Sequence, residues 1–337
     1  MSGIAPPTIL VTGASGFVGA CLCRHFAGTA AGAARVVAVH GPSRPAANRW
    51  RLAGDATTTL ENVAVDLGSA DAVRALVREV QPSVVINCAA YGAYSNQVEP
   101  ERVYGVNFDA MRALLDAASE VPGFRAFIQA GSSSEYGSNC SAPREDAAPV
   151  PDSDYSVSKV AATAYVQFAG GRRGVPAWVL RLSSVYGPYE DASRLVPRLL
   201  ARGRQGGFPQ LVNPKVSRDF VFIDDVCAAF QRVVDQASSL APGDVFNIGS
   251  GTCTTLEDIV GRVRTLYKIT DQPAWGSMAD RKWDHQDWYS NSSKAKEVLG
   301  WSATTSLDAG LAATSRWMDE HPAAVSAAEA NMVTGAK

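Results

Sequence analysis

The chain has 337 residues, 46% of them hydrophobic and 19% charged, which is the balance of a globular protein large enough for one α/β unit and a smaller lobe. Its formal net charge of −2 gives no reason to expect nucleic acid or an anionic membrane as a partner. There is no apolar run near the ~20 residues that span a bilayer, no signal peptide in the first seven residues and no metal-ligand spacing among six cysteines and four histidines, so we expect a cytoplasmic protein with reduced thiols and no bound metal.

Short apolar runs alternate with helical stretches in the first half of the chain. The runs are Thr8–Thr12, Val36–His40, Val63–Leu67, Val84–Cys88, Phe127–Ala130 and Ala177–Leu182. Their uninterrupted, β-branched composition is typical of strands that are buried on both faces of a parallel sheet. Between them, stretches such as Ala70–Val80 and Val106–Ser119 space apolar residues three and four apart, as helices do. The pattern predicts an α/β fold with a doubly wound parallel sheet.

The first predicted strand leads directly into a glycine-rich turn. The turn reads Gly13, Ala14, Ser15, Gly16, Phe17, Val18 and Gly19, and a predicted helix follows. Glycines at this spacing permit a tight turn, close approach of the backbone to a pyrophosphate, and close packing of helix on strand. The helix N-terminus then faces the phosphate charge. The turn therefore predicts a dinucleotide bound as in a Rossmann fold.

Residues after the second and third strands bear on the kind of dinucleotide. The second strand ends at His40, where an NAD site would have a carboxylate for the ribose 2′-hydroxyl. Ser43 and Arg44 follow and could hold a 2′-phosphate, although Arg44 could also be a solvated loop residue. On this basis we favour NADP over NAD as the NAD(P) cofactor. Asp66 and Leu67, at the end of the third strand, are placed to meet the adenine, and Asp66 could also cap the next helix.

Tyr155 and Lys159 are four residues apart, a spacing that puts them one turn apart on one face of a helix. An ammonium group and a nicotinamide cation would together stabilise a phenolate, which could exchange a proton with a substrate hydroxyl while hydride moves to or from the cofactor. On its own this spacing is more often structural. Upstream, the hydroxyls of Ser132–Ser134 follow a predicted strand at the end where doubly wound folds bind ligands, and could contact a substrate oxygen or simply form a turn.

Prolines and glycines become frequent after Gly187. A strand at Asp219–Ile223, a helix from Asp224 to about Ser239 and a strand at Val245–Ile248 are predicted there. We expect residues 1–186 to form the dinucleotide-binding domain, with residues 218–248 returning to it, and residues 187–321 to form mainly a smaller C-terminal substrate-binding lobe. The Ala-rich tail at residues 322–337 is expected to be a frayed helix or disordered.

Together the motifs resemble the extended short-chain dehydrogenases/reductases of the NAD-dependent epimerase/dehydratase family. The resemblance covers about residues 8 to 318. In the family's order it includes TGASGFVG, Asp66-Leu67, Asn87-Cys88-Ala89-Ala90, Asn107, GSSSEYG, YSVSK, RLSSVYGP, RDFVFIDDV, FNIGSGT and KEVLGW. It implies an NAD(P)-dependent enzyme that moves a hydride on the sugar of a nucleotide-diphosphate hexose.

The resemblance also assigns roles to individual residues. It implies that Ser132, Tyr155 and Lys159 form a catalytic triad with Ser133 beside it. The implied cofactor contacts are Gly13, Ser15, Gly16, Phe17, Val18, Gly19, His40, Ser43, Arg44, Asp66, Leu67, Ala89, Ala90, Tyr91, Asn107, Tyr155 and Lys159. Helices Val106–Ser119 and Tyr155–Phe168 carry apolar residues beyond one core-facing stripe, and their counterparts in the family pair in a homodimer.

On the substrate side, Arg218 and Arg281 resemble two arginines that clamp a diphosphate, which suits guanidinium forks, although Arg281 could instead pair with a neighbouring aspartate. Ser134 and Ser184 are the other implied substrate contacts. Ser184 stands where the family often has asparagine, which puts that contact in doubt.

Ser133 and Ser134 stand where the family's 4,6-dehydratases carry an acidic pair, and a hydroxyl cannot replace a carboxylate as the acid/base for elimination. Dehydration is therefore disfavoured. Two reactions remain, namely reduction of a 4-keto sugar, which we favour, and 4-epimerisation with tightly bound NAD. The intact set Ser132, Tyr155 and Lys159 argues against a catalytically inactive binding protein. The two arginines argue against reduction of a carbonyl compound that carries no nucleotide.

Overall fold

The computed structural model describes residues 7–28, 34–42, 50–53, 60–94, 96–278 and 286–334. The strands in these ranges are β1 (Thr8–Thr12), β2 (Arg35–His40), β3 (Glu61–Ala64), β4 (Val84–Asn87), β5 (Ala126–Ser132), β6 (Ala177–Leu182), β7 (Ser184–Tyr186), β8 (Ser217–Arg218), β9 (Phe220–Phe222), β10 (Val245–Ile248) and β11 (Thr254–Thr255). The α-helices are α1 (Phe17–Gly28), α2 (Ala70–Val80), α3 (Pro100–Tyr104), α4 (Ala110–Ser119), α5 (Asp154–Arg173), α6 (Leu195–Arg204), α7 (Ile223–Gln236), α8 (Leu256–Tyr267), α9 (Ser293–Leu299), α10 (Leu307–Glu320) and α11 (Pro322–Thr334).

A seven-stranded parallel sheet with the order β10-β6-β5-β4-β1-β2-β3 organises the fold. The chain builds β2 and β3 on one side of β1 and then crosses to the other side to form β4. The strand order reverses at this point, and open α/β sheets bind their ligands outside the carboxyl ends of the strands there. The predicted doubly wound α/β fold is confirmed.

The strands of this sheet other than the edge strand β3 are buried on both faces, as their continuous apolar runs predicted. Leu10, Val37, Val85, Phe127 and Val179 point from five neighbouring strands into one core that α2, α4 and α5 cover, and each of these side chains is fully buried. Burial of this kind supplies most of the free energy that holds helices on a sheet. The predicted strands Thr8–Thr12, Ala177–Leu182 and Val245–Ile248 and the helix Ala70–Val80 are confirmed with these bounds.

Other predicted bounds need correction. The third strand runs from Glu61 to Ala64, earlier than the predicted Val63–Leu67, because it is an edge strand whose exposed polar residues interrupt the apolar pattern. The helix predicted at Val106–Ser119 already begins at Pro100 and passes through one π-helical turn, Gly105–Asp109. The strand predicted at Asp219–Ile223 runs only from Phe220 to Phe222. Asp219 lies between it and the short strand Ser217–Arg218, and the Asp219 side chain binds a neighbouring loop.

The chain forms two compact units. The first comprises Met1–Glu135, Pro151–Arg181 and Cys227–Phe246, and the second comprises Tyr136–Val150, Leu182–Val226 and Asn247–Lys337. In the second unit β7 pairs with β9 and β8 pairs with β11. The assignment of cofactor and substrate to separate domains remains a prediction. Across the described residues, no helix combines the length and apolarity that crossing a membrane requires.

Candidate active site

The glycine-rich turn lies where the ends of β1 and β4 meet. Gly13 has φ +66°, and a Cβ there would lie 2.6 Å from backbone atoms of Cys88 and Ala89. A Cβ on Gly19 would overlap the Gly13 carbonyl group. The backbones of β1, β4 and α1 therefore approach too closely for any side chain to fit between them. This cradle of bare backbone at a helix N-terminus fits a bound pyrophosphate.

The end of β2 carries a buried imidazole where an NAD site would have a carboxylate. His40 is 4% exposed, and its Nδ1 lies 3.1 Å from the Gly41 carbonyl oxygen, which can only accept the hydrogen bond. Ser43 and Arg44, on which the preference for NADP also depends, lie outside the described residues.

Asp66 is exposed after β3, and its Oδ1 accepts a hydrogen bond from the Gly68 amide at 3.0 Å. The N-cap of α2 is Ser69, whose Oγ accepts from the Ala72 amide. The alternative role of Asp66 as that cap is therefore wrong. Leu67 packs against the main core of the sheet.

The loop after β4 is fixed to α5 through Asn107. The Asn107 carboxamide accepts from the Tyr91 amide and donates to the Tyr91 carbonyl, both at 2.8 Å, and it donates to Ser158 Oγ at 2.9 Å. Gly92, at φ +96°, brings the same loop against the Tyr155 ring, 3.4 Å from where a Gly92 Cβ would lie. Asn107 thus holds the segment of Ala89, Ala90 and Tyr91 in place, and its own polar atoms are used within the protein.

Ser132, Tyr155 and Lys159 come from two neighbouring elements, the end of β5 and the start of α5. A capping box between Ser153 and Ser156 fixes the first turn of α5, where Tyr155 lies. Lys159 is 3% exposed, its Nζ lies 5.7 Å from the centre of the Tyr155 ring, and it donates to the Ala130 carbonyl at 2.9 Å. An ammonium has three N–H donors, of which this carbonyl takes one.

The serine-rich turn after β5 is internally bonded. Ser134 Oγ donates to Ser132 Oγ at 2.8 Å, and the Ser134 amide is 3.2 Å from the same oxygen. Ser133 begins a 3-10 turn that ends at Tyr136. Glu135, in that turn, faces the interior. Its carboxylate is fully buried and accepts from the Ser132 amide, Thr163 Oγ1 and Arg181 Nε.

A series of buried side-chain hydrogen bonds ends at the Ala130 carbonyl, which also accepts a hydrogen bond from Lys159. Thr12 Oγ1 donates to Asn87 Oδ1, Asn87 Nδ2 donates to Gln129 Oε1 at 2.7 Å, and Gln129 Nε2 donates to the Ala130 carbonyl at 3.0 Å. The chain crosses β1, β4 and β5 and connects the residue before the glycine-rich turn with the acceptor of Lys159. Gln129 and Glu135 were not predicted as functional residues, although a polar residue inside a buried strand or turn is a signal for both.

Two further groups near these loops are held in their protonated forms. Burial raises the pKa of the Cys88 thiol to about 12, against the opposing effect of the Lys159 charge. A hydrogen bond from the Tyr91 hydroxyl to the Glu99 carboxylate, together with burial, raises the pKa of Tyr91. Neither group is therefore suited to take up a proton from a substrate at neutral pH.

Of the residues expected to bind substrate, Ser134 belongs to the first unit, whereas Ser184 and Arg218 belong to the second. The Ser184 amide donates to the Asp219 carbonyl at 2.9 Å, which places Ser184 beside Arg218. The Arg218 guanidinium stacks on the Trp288 ring at 4.7 Å and donates to the Ser217 carbonyl at 2.6 Å. Arg281 lies outside the described residues.

Asp219 is a residue that sequence reasoning overlooked inside the RDF motif. Its buried carboxylate accepts from the Ser250 and Gly251 amides and from the Ser290 amide. These bonds fix the loop that follows β10 and the backbone beside Arg218. The Asp219 side chain is therefore part of the scaffold that carries Ser184 and Arg218.

Comparison with known proteins agrees with this geometry. Residues 9–249 match the NAD dependent epimerase/dehydratase family. The UDP-glucose 4-epimerase of Mycolicibacterium smegmatis is 28% identical over 90% of this chain and 96% of its own length. The trifunctional UDP-glucose 4,6-dehydratase/UDP-4-keto-6-deoxy-D-glucose 3,5-epimerase/UDP-4-keto-L-rhamnose-reductase RHM3 of Arabidopsis thaliana is 23% identical over 96% of this chain. The chain spans only 49% of the length of RHM3.

Two solved structures are similar over nearly all of both chains. The UDP-glucose 4-epimerase of Thermotoga maritima, solved with UDP-glucose, has a TM-score of 0.81 and 25% identity, covering 94% of this chain and 99% of its own. MoeE5 in complex with UDP-glucuronic acid and NAD has a TM-score of 0.77 and 27% identity, covering 93% and 99%. The resemblance drawn from the sequence motifs is confirmed, and the chain belongs to the NAD dependent epimerase/dehydratase family as an enzyme of the extended short-chain dehydrogenase/reductase kind.

Proposed function

We propose that this enzyme reduces the 4-keto group of a nucleotide-diphosphate hexose. The observation that carries the proposal is that, among the described residues, no carboxylate beside Ser132 is placed to act on a substrate. Ser134 offers only a hydroxyl, which is bonded to Ser132 Oγ, and the Glu135 carboxylate is fully buried and accepts three hydrogen bonds from protein groups. Elimination of water needs an acid/base group that reaches the substrate, and neither residue provides one. Hydride transfer without elimination needs no such carboxylate.

The protein's part in this reaction is to hold the sugar and deliver a proton. The cradle around Gly13 and the first turn of α1 hold the cofactor, which when bound supplies the hydride. Tyr155 gives its phenolic proton to the C4 oxygen as the alkoxide forms there, and Ser132 Oγ hydrogen-bonds the same oxygen. Lys159, fixed by the Ala130 carbonyl, lies beside the Tyr155 ring and favours the phenolate left behind.

NADPH is the reductant that we propose. The buried His40 imidazole cannot accept hydrogen bonds from both ribose hydroxyls as a carboxylate does, and the Ser43 and Arg44 side chains follow it in the chain. A reductase also has to exchange its oxidised cofactor in each cycle, which suits a site without the tight carboxylate–ribose contact. The similar protein MoeE5 was solved in complex with NAD, so membership of the family does not itself select NADPH.

The substrate is proposed to bind by its diphosphate to Arg218 and Arg281, with the sugar reaching Ser134 and Ser184. Stacking on Trp288 fixes the plane of the Arg218 guanidinium, and a planar guanidinium of fixed orientation suits the oxygens of a diphosphate. A carbonyl compound without phosphate would make no use of this group.

A 4-epimerase that retains NAD is the second candidate. It is favoured by the M. smegmatis UDP-glucose 4-epimerase, 28% identical over 90% of this chain. The same Tyr155 and Ser132 would then take a proton from the C4 hydroxyl and return it on the other face after the sugar has turned over in the site.

The two candidates differ in net use of reductant. We would incubate the protein with NADPH and UDP- or dTDP-linked 4-keto-6-deoxyglucose and follow both reduced-nicotinamide absorbance and sugar products. A reductase consumes one NADPH for each alcohol formed. A parallel reaction would contain UDP-glucose and no added reductant, and formation of UDP-galactose there would refute the reductase and support the epimerase. Tyr155→Phe provides the inactive control in both reactions.

We further propose a homodimer formed through α4 and α5. Phe168 and Val157 on α5 are 50% and 39% exposed, so this helix carries apolar surface, beyond the face that packs on the core, for a second copy of the chain to cover. Sedimentation equilibrium at micromolar concentration should give twice the chain mass, and Phe168→Glu should give the monomer. A monomeric wild-type protein would contradict the proposal.

A further inference from the structure

The Glu135 carboxylate binds three elements of the first unit at once. Its Oε1 accepts from the Ser132 amide at 2.9 Å, and its Oε2 accepts from Thr163 Oγ1 and from Arg181 Nε, both at 2.8 Å. Glu135 is fully buried and the Arg181 side chain is 5% exposed. Because water is excluded, the attraction between the Glu135 and Arg181 charges is strong, but removing both charges from water also costs a large desolvation free energy.

The three partners are not arbitrary. Tyr155, Lys159 and Thr163 are successive positions four residues apart, so they follow one face of α5. Glu135 touches the third of these residues with one oxygen and the Ser132 backbone with the other. The carboxylate thus connects the turn that carries Ser132 with the helix face that carries Tyr155 and Lys159.

The fit around the carboxylate leaves little room for movement. A Cβ on Gly131 would lie 2.8 Å from Glu135 Oε1 and 2.8 Å from Val179 Cγ1, so the carboxylate packs directly on the backbone at the end of β5. If stability alone were required, a well-packed apolar pair would serve as well or better than a buried ion pair. Directional hydrogen bonds to Ser132 and Thr163 are what an apolar pair could not supply.

We infer that Glu135 is a positioning residue that, braced by Arg181, sets the place of Ser132 relative to the Tyr155 and Lys159 side chains. The inference rests on the proposed function, in which these three residues act on one substrate oxygen. A displacement of about 1 Å between such groups is enough to slow a reaction by roughly 10²-fold.

Two double variants separate positioning from charge burial. Glu135→Gln/Arg181→Met removes both charges but keeps an amide oxygen for the Ser132 amide and a polar partner for Thr163. Glu135→Leu/Arg181→Met removes the same charges and also the acceptor. We would measure kcat, KM, melting temperature and hydrogen exchange of the Ser132 amide in each. An exposed pair in the same unit, Arg35 with Glu61, gives the matched control Arg35→Met/Glu61→Leu.

The Gln/Met variant is expected to keep kcat within about threefold of wild type and to keep the Ser132 amide protected. The Leu/Met variant is expected to lose kcat by about 10- to 100-fold with KM within about twofold, and to lose that protection. Equal kcat in the two variants, or a loss of kcat that follows melting temperature, would overturn the inference. The exposed control should leave kcat unchanged.

If neither double variant folds, Thr163→Val supplies the test, because it deletes one hydroxyl and keeps the shape of the side chain. It should lower kcat by about 3- to 10-fold at constant KM, and an unchanged kcat would count against Glu135. Amide exchange at Ser132 is measured without turnover. A wild-type protein that is inactive on every nucleotide sugar therefore refutes the proposed function. Loss of protection of the Ser132 amide in the Leu/Met variant would still test whether Glu135 positions Ser132.

Discussion

Gly13→Ala adds a single methyl group to the glycine-rich turn and is expected to disrupt the cofactor site. At φ +66° an alanine occupies a left-handed conformation that costs about 1–2 kcal/mol. Its Cβ would lie 2.6 Å from the Cys88 carbonyl and the Ala89 amide, which are backbone atoms that cannot rotate aside. The ends of β1 and β4 must separate by roughly 0.8 Å to restore ordinary contact at 3.4 Å, and such overpacking costs a further ~1–3 kcal/mol. For a chain of 337 residues, a total of about 3 kcal/mol corresponds to a melting temperature lower by about 4 °C.

Cofactor binding should fall with stability in this variant. Displacing the turn weakens one or two hydrogen bonds to the charged pyrophosphate, at about 1.5–3 kcal/mol each, so the Kd for NAD(P) should rise at least tenfold. The assays are calorimetric titration with NADPH and NAD and thermal melting with and without them. Gly171→Ala on α5 is the control, because its Cβ would meet open space and it should raise stability by about 0.5–1 kcal/mol without changing Kd. If Gly13→Ala bound NAD(P) with the wild-type Kd, the backbone around Gly13 would not be the pyrophosphate site.

Three more outcomes are expected. Tyr155→Phe should lower kcat by about 10²–10⁴-fold while the Kd for the cofactor stays near wild type, and more than about a tenth of the wild-type rate would exclude Tyr155 as the proton carrier. Arg218→Ala should raise KM for the nucleotide sugar far more than it lowers kcat, since the diphosphate is remote from C4, and an unchanged KM would argue against the clamp. Burial raises the pKa of the Cys88 thiol from 9.0 to about 12. Between these two pH values the folded protein keeps a proton that the unfolded chain loses. The contribution of the protonated thiol to the free energy of unfolding is therefore complete below pH 9 and is lost as the pH rises through 12. Urea denaturation of Cys88→Ala should accordingly show a smaller loss of stability above pH 9 than wild type, and equal losses would contradict this account of the thiol.

Buried strands and the glycine-rich turn could be predicted because each carries a local signal. Val84–Asn87 is apolar up to its last residue, Ala177–Leu182 is apolar apart from Arg181, and the Gly13 turn has a spacing that few other structures need. The edge strand β3 lacks that signal because the sheet buries it on one side only, so its predicted position was wrong by two residues at the start. The pattern also could not show that the helix before α4 begins at Pro100.

The reactive side chains could be named from the sequence, but their supports could not. Glu135 precedes Tyr136 in an ordinary-looking turn, and only the fold brings Thr163 and Arg181 to its carboxylate. Gln129 likewise lies in a strand, and its bond to Asn87 depends on the pairing of β4 with β5 in the sheet. Contacts between residues far apart in the chain follow from topology, which a local pattern does not contain.

Transfer of deuterium from the cofactor tests the central claim most directly. The protein would be incubated with NADPH deuterated at C4 of the nicotinamide, in each stereoisomer, together with UDP- or dTDP-linked 4-keto-6-deoxyglucose, and the sugar product analysed by mass spectrometry and NMR. We expect one deuterium per product molecule, located at C4 of the sugar, from one of the two stereoisomers and none from the other. Recovery of the 4-keto sugar without deuterium, together with conversion of UDP-glucose to UDP-galactose in a parallel reaction without added NADPH, would contradict the reductase and establish the epimerase in its place.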